Sequence, residues 1–430
     1  MNYINNIIEK HIEKIIILFI LIQPILDTIT GINVNILKNN FPFAPITRLL
    51  FMLLGIYYIL FINKNQKDIK KLIMIFIYTI LFWIMTIVYK GKHSLIYETT
   101  NLLNTLYLPI ILISLLNIFE HKKIKINLKT ILITYFIYII LIIIPDITNT
   151  AFNSYSHSKT GHVGWFPLAN VIGNILSILL PIIIYYILKT KKKYILKTIM
   201  ILSIIYVFFN IGTKVPIISL LICIICNLFY TLIKWIKTKK YKNIIISIII
   251  TLILSTMALL LIPKTSFYKN LEIHKNYLGI NNYLEIFTKY ELIDHFIFSQ
   301  RLTFLTTIHN SNKTDIIQKL IGIGYIKKYG IEQSTKTIEI DYFDILYENG
   351  IIGTLLLGYI LLPIIIESYK KTKKNSLINT NYKICITLIL LIALFAGHIL
   401  ISPAIGIFVA LIFTIILKGG LNENTKKRQN

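Results

Sequence analysis

The sequence has 430 residues, 55% of them hydrophobic, a mean hydropathy of +0.70 and a formal net charge of +26. Disorder is excluded, because it needs low hydrophobicity, and so is a single water-soluble domain of ordinary composition. The remaining class is a polytopic membrane protein whose basic residues are confined to its loops, with no nucleic-acid partner.

A bilayer core about 30 Å thick needs roughly 20 apolar residues of helix. Runs of that kind predict twelve spans, near residues 15–33, 44–63, 71–89, 100–118, 128–145, 166–188, 194–212, 214–233, 244–263, 349–366, 384–400 and 403–418. Their length selects helix over buried strand, so the expected fold is an all-α polytopic membrane protein. The first run ends in Gln23-Pro24 and Asp27-Thr28 without a small-residue cleavage site, and is read as a retained helix rather than a signal peptide. Residues 384–418 taken as one helix would overshoot the membrane, and Ser402-Pro403 is a natural break.

Lys and Arg mark cytoplasmic loops. With both termini inside, the inside segments hold 29 of the 45 basic residues, and basic clusters alternate with sparse loops across all twelve spans. The net charge is therefore mostly a label of the cytoplasmic face. Cys223, Cys226 and Cys385 fall inside spans; the CxxC spacing of the first two lacks a soluble βα context, so they read as small buried hydrophobes.

The layout divides the chain into helices 1–9 (1–263), one long extracytoplasmic loop (264–348), helices 10–12 (349–418) and a basic tail (419–430). Loops this long are usually functional. This one is neutral overall yet holds ten of the chain's nineteen acids. Apolar residues at helical spacing between Asn282 and His309 predict amphipathic helices on the outer membrane face. A short helix near Asp315–Leu320 and a Gly322-Ile-Gly324 turn follow; without a preceding strand or a third glycine this is no nucleotide loop. Where the loop re-enters the membrane, Asp341, Asp344 and Glu348 share one helix face. Carboxylates at that depth need water, a cation or a task, with a solvated helix start as the plain alternative.

Three basic residues stand apart. Lys214 opens the eighth span and Arg48 lies just inside the second; each is suited to a phosphate group, or to snorkelling towards the interface. Arg301 offers bidentate pairing to phosphate or carboxylate. No HExxH, GxSxG or paired metal-ligand motif occurs, and His157 and His162 lie in a loop that reads as solvated.

Several segments together resemble the O-antigen ligase and O-antigen polymerase-like family of bacterial membrane proteins. They are Leu21-Ile-Gln-Pro-Ile-Leu-Asp27, Phe166-Pro-Leu-Ala-Asn170 continuing to Leu180-Pro181, Gly212-Thr-Lys214, the long loop with Arg301, and the stretch from Glu339 to Gly350-Ile-Ile-Gly353. Two departures stand out: Lys214 replaces the usual arginine, and Glu339 replaces the ligases' histidine, as in many Gram-positive members. The resemblance implies a fold like the metal-independent, lipid-donor (GT-C-like) glycosyltransferases, no cofactor, and a location in the bacterial cytoplasmic membrane. It implies transfer of glycan from undecaprenyl diphosphate to a sugar hydroxyl at the outer face, for a capsule, wall or O-antigen-like polysaccharide. The implied partners are the lipid-linked donor and acceptor, with a flippase or chain-length regulator. Glu339, Asp341 and Arg301 then become catalytic candidates; Lys214, Arg48, Asn170 and Asp344 become substrate-binding candidates. A multi-span transporter or lipid-linked glycan flippase is the alternative, and a membrane scaffold a third, which leaves the charged loop unexplained. The Ile-, Lys- and Asn-heavy composition hints at an AT-rich genome and a Gram-positive source.

Overall fold

The structure is a computed structural model and describes residues 2–39, 41–155, 159–190, 194–239, 262–311, 314–326, 337–419 and 421–422. Eight helices come first: α1 (Asn2–Asn35), α2 (Phe43–Tyr57, continued by a π turn over Tyr58–Asn63), α3 (Gln66–Lys90), α4 (Leu95–Lys122), α5 (Leu128–Ile147), α6 (Ala169–Lys189), α7 (Tyr194–Ile211) and α8 (Lys214–Lys237). The loop region holds α9 (Ser266–Tyr277), α10 (Tyr290–Ile293), α11 (Arg301–Ser311) and α12 (Ile316–Ile321). The chain then forms α13 (Asp341–Lys371), α14 (Leu377–Phe395) and α15 (Pro403–Lys418).

Among the described residues, ten helices are long and apolar enough to cross a membrane, and α15 is a shorter apolar helix. Each coincides with one of the twelve expected spans; the expected span at 244–263 falls almost wholly outside the described residues. The protein is an all-helical, multi-pass membrane protein; the described strands are two-residue segments, Ile126–Asn127 and Leu421–Asn422, which pair with each other.

Several helices begin earlier than hydropathy alone implies, α1 and α13 by the most. α1 starts at Asn2, and in the stretch ahead of the expected span Ile12 is buried and Ile8 packs against the core. α13 starts at Asp341, and Gly350 breaks it with a left-handed φ of 65°. That break makes room: a Cβ on Gly350 would lie 2.4 Å from the Gly322 nitrogen, and one on Gly322 would lie 2.2 Å from the Glu348 carbonyl oxygen. The expected Gly322–Gly324 turn thus packs against the kink, with Ile323 and Gly324 donating to the Tyr347 and Glu348 carbonyls at 2.9 and 3.0 Å. Tyr78 of α3 locks both, donating to the carbonyls of Ile321 (3.2 Å) and Asn349 (2.9 Å).

The centre of the bundle is α15 against α4. Every residue from Ala404 to Leu417 is buried, as expected of a helix apolar on all sides. The exposed aliphatic faces of α3, α7 and α8 are those a bilayer would cover.

Candidate active-site cavity

A cavity of about 520 Å³ opens where α6, α8 and α11 begin and α14 ends. It collects four of the seven residues singled out in the sequence: Arg301, Glu339, Lys214 and Asn170. Lys159, Tyr155, Asn174, Thr213, Ser219 and Ser299 complete its polar lining, and Ile218, Ile222, Leu388 and Leu391 form an apolar wall along α8 and α14. A second cavity of about 250 Å³, among α6, α7 and α8, is mostly aliphatic, with Asn227 and Thr231, and holds no charged side chain.

Arg301 opens α11, and Asp294 fixes that start. Its buried carboxylate accepts from the Leu302 and Thr303 amides at 3.0 and 2.8 Å and from the Thr303 hydroxyl at 2.6 Å, after a left-handed turn at Ser299 and Gln300. The guanidinium then makes three bonds. Nε and Nη2 donate to Glu339 Oε2 at 3.2 and 2.7 Å, and Nη1 donates to the Phe395 carbonyl at 2.6 Å, capping the end of α14. Glu339 keeps 40% of its side chain exposed in the cavity.

Glu339 sits in a left-handed conformation (φ 65°), which a residue with a side chain adopts only under constraint. Asp344 supplies the constraint: its buried carboxylate accepts from the Ile338 and Glu339 amides at 2.7 and 2.9 Å. Asp341 is equally buried and accepts from the His398, Ile399 and Leu400 amides at 2.5, 2.8 and 2.8 Å. Neither aspartate is among the residues lining the cavity. The shared helix face expected for Asp341, Asp344 and Glu348 is present and buried. For the two aspartates its task is to hold the backbone at 338–339 and 398–400.

Lys214 reaches from the first turn of α8 to donate to the Phe296 carbonyl, with its ammonium 4.7 Å from the centre of the Phe296 ring. Lys159 lies over Tyr155 at 5.3 Å, and burial lowers its proton affinity. Buried Thr213 Oγ1 lines the cavity without a hydrogen-bond partner among the described residues. The helix starts at α6 and α8 add partial positive charge to the same space. Lys214, Lys159 and Arg301 beside one carboxylate give this space a positive potential suited to an anion.

Arg48 lies elsewhere. It is buried between α1 and α2, ion-paired with Asp27 and donating through Nε to Gln23 at 3.0 Å, while Tyr138 of α5 donates to Asp27 at 2.9 Å. The sequence did carry that signal: Gln23 and Asp27 are four apart on one face of α1. Lys159, Tyr155 and Asn174 had no comparable signal, since only the tertiary fold brings their loop and helix to the cavity. His157 lies outside the described residues; His162 faces Asp146 at 4.0 Å. No group of three potential metal ligands occurs among the described residues.

A family model described as O-antigen ligase like membrane protein matches residues 9–283 and 282–419. The chain belongs to that family. Its members are membrane enzymes acting on lipid-linked glycans, of a glycosyltransferase type. No curated protein matches the sequence. The resemblance read from short motifs therefore holds across nearly the whole chain.

Proposed function

We propose that the protein polymerises or ligates glycan units carried on undecaprenyl diphosphate, at the outer face of a bacterial cytoplasmic membrane, with both termini inside. The observation that carries this reading is the cavity itself: Lys214, Lys159 and Arg301 line it together with the Glu339 carboxylate, beside an apolar wall between α8 and α14. A polyprenyl chain suits the wall, a diphosphate suits the cations, and the sugar lies towards Asn170 and Asn174.

As the glycosidic bond breaks, its electron pair leaves on the diphosphate oxygen. Preorganised cations stabilise that charge best where water is scarce. The acceptor hydroxyl attacks the anomeric carbon and gives its proton to Glu339, whose half-exposed carboxylate is within the same cavity. Asp344 and Asp341 act through the backbone they hold, and Arg48 joins α1 to α2. Every charge transfer in this scheme is served by side chains of the chain itself. A flippase that presents the donor, and a chain-length regulator, are the partners this reading calls for.

Deletion of the gene tests it against the transporter alternative. Loss of a polymerase or ligase leaves lipid-linked units accumulated at the outer face of the membrane. Accumulation at the inner face would show a flippase instead.

A further inference from the structure

The amphipathic pattern expected over 282–309 divides in the structure. Leu292, Phe296, Leu302 and Leu305 are half-buried, while Leu284, Phe287 and Tyr290 stay exposed at 71%, 67% and 57%. Asn282 starts the exposed part with a capping box. Its side chain accepts from the Leu284 amide at 3.1 Å, and the Glu285 carboxylate accepts from the Asn282 amide at 2.9 Å. The turn that follows, Tyr283–Thr288, is 3₁₀, so residues three apart lie on one face. Tyr283 and Ile286 face inward: Tyr283 packs on the Phe296 ring at 5.9 Å and donates to Glu272 at 2.6 Å, and Ile286 is buried. Glu285 and Thr288 form a polar face, and Leu284 and Phe287 an apolar one.

The segment this turn packs on sets its depth. Lys214, the first residue of α8, donates to the Phe296 carbonyl. The Phe298 ring lies 5.5 Å from that of Phe395, the last residue of α14. Residues 296–298 therefore bridge the ends of two helices long and apolar enough to cross a membrane, at the level where hydrocarbon gives way to headgroups. Between them, Ile297 is 42% exposed and lines the cavity with Ile218, which stands on the exposed aliphatic face of α8. The surface that a bilayer covers along α8 thus continues through Ile297 into the loop.

We propose that Leu284, Phe287, Tyr290 and Ile297 form a ridge seated in the headgroup–acyl boundary of that leaflet, which makes the loop one rim of a lateral mouth of the cavity. An exposed apolar patch marks a contact surface, and its continuity with the face of α8 selects lipid as the occupant. Tyr290 suits that depth, with its ring among acyl chains and its hydroxyl among headgroups. Lys289, exposed between Phe287 and Tyr290, lays its stem along the ridge and keeps its ammonium among lipid phosphates. A molecule carried on a membrane lipid then reaches the polar lining sideways from the leaflet, past Ile218 and Ile297.

The test places a nitroxide on the full chain in nanodiscs of phosphatidylethanolamine and phosphatidylglycerol. Leu284→Cys, Phe287→Cys, Tyr290→Cys and Thr288→Cys are labelled one at a time, with Cys223, Cys226 and Cys385 replaced by alanine. Collision with oxygen, which concentrates in lipid, is compared with collision with a water-soluble nickel chelate. The oxygen-to-nickel ratio is expected to be several-fold higher at 284, 287 and 290 than at 288, on the polar face of the same turn. A photoreactive benzoylphenylalanine at 287, in the chain with its native cysteines, is expected to give lipid adducts on illumination, and one at 288 none. Equal ratios at 287 and 288 with no lipid adduct at 287 would overturn the proposal. So would nickel access at 287 that falls only when soluble glycan is added, which would give the ridge to a sugar chain instead. Neither readout depends on the chemistry proposed for the cavity.

Discussion

Arg301 Nη2 lies 2.7 Å from Glu339 Oε2, and the two residues arrive there from separate parts of the long loop, one opening α11 and the other just before α13. In the proposed reaction the pair sets a cation for the leaving group beside a base for the acceptor. Glu339→Gln is expected to cut glycan transfer by about 10²–10⁴-fold, the usual worth of a general base. Arg301→Ala is expected to abolish polymer extension with membrane insertion intact. Polymer length and protein level in the membrane, measured in cells carrying each variant, check both.

Lys214 opens α8, and its contacts are a carbonyl and a ring face rather than a carboxylate. Lys214→Arg is expected to keep activity. Lys214→Met is expected to weaken binding of undecaprenyl diphosphate about 10- to 100-fold, the scale of a lost charge-assisted bond. Titration of the purified protein with the lipid measures this.

Asp344 and Asp341 reach the chemistry only through backbone. Asp344→Ala frees the amides that hold Glu339, so kcat is expected to fall while donor affinity stays near that of the parent protein. Asp341→Ala releases three amides and is expected to lower stability by about 1–3 kcal/mol, visible as an earlier unfolding transition. A change in donor affinity alone would contradict both roles.

His274 of α9 stacks on Phe296 at 5.2 Å, and burial with Lys214 and Lys159 nearby pushes its pKa down to about 4 from 6.5. The folded state resists protonation that the unfolded state accepts. Stability from this residue is therefore full above pH 6.5, falls as pH drops from 6.5 towards about 4, and is flat below. Thermal unfolding across that window is expected to show the slope in the parent protein and a shallower one in His274→Phe.

The fold was legible wherever a span is a long apolar run, because bilayer thickness sets that length directly. It was less legible at α1, where Ile8 and Ile12 are interleaved with polar residues, and at Asp341, where the helix begins among acids. The candidate site was legible only in part. Glu339, Asp341 and Asp344 look alike in sequence; burial separates them, leaving Glu339 in the cavity and the other two on backbone amides. Arg48 was grouped with the site on charge and depth, but Asp27 already neutralises it. Lys159 joins the cavity because its loop folds back over α7 and α9, where Gly212 and Asn270 meet Thr160, and no local pattern records that.

The most direct test is release of undecaprenyl diphosphate by the purified protein in vesicles, supplied with lipid-linked glycan extracted from the deletion strain. The parent protein is expected to release the lipid diphosphate in step with lengthening of the glycan, and Glu339→Gln and Arg301→Ala to release none above background. Glycan that crosses the bilayer with its lipid linkage intact, at equal rates in all three proteins, would contradict the account.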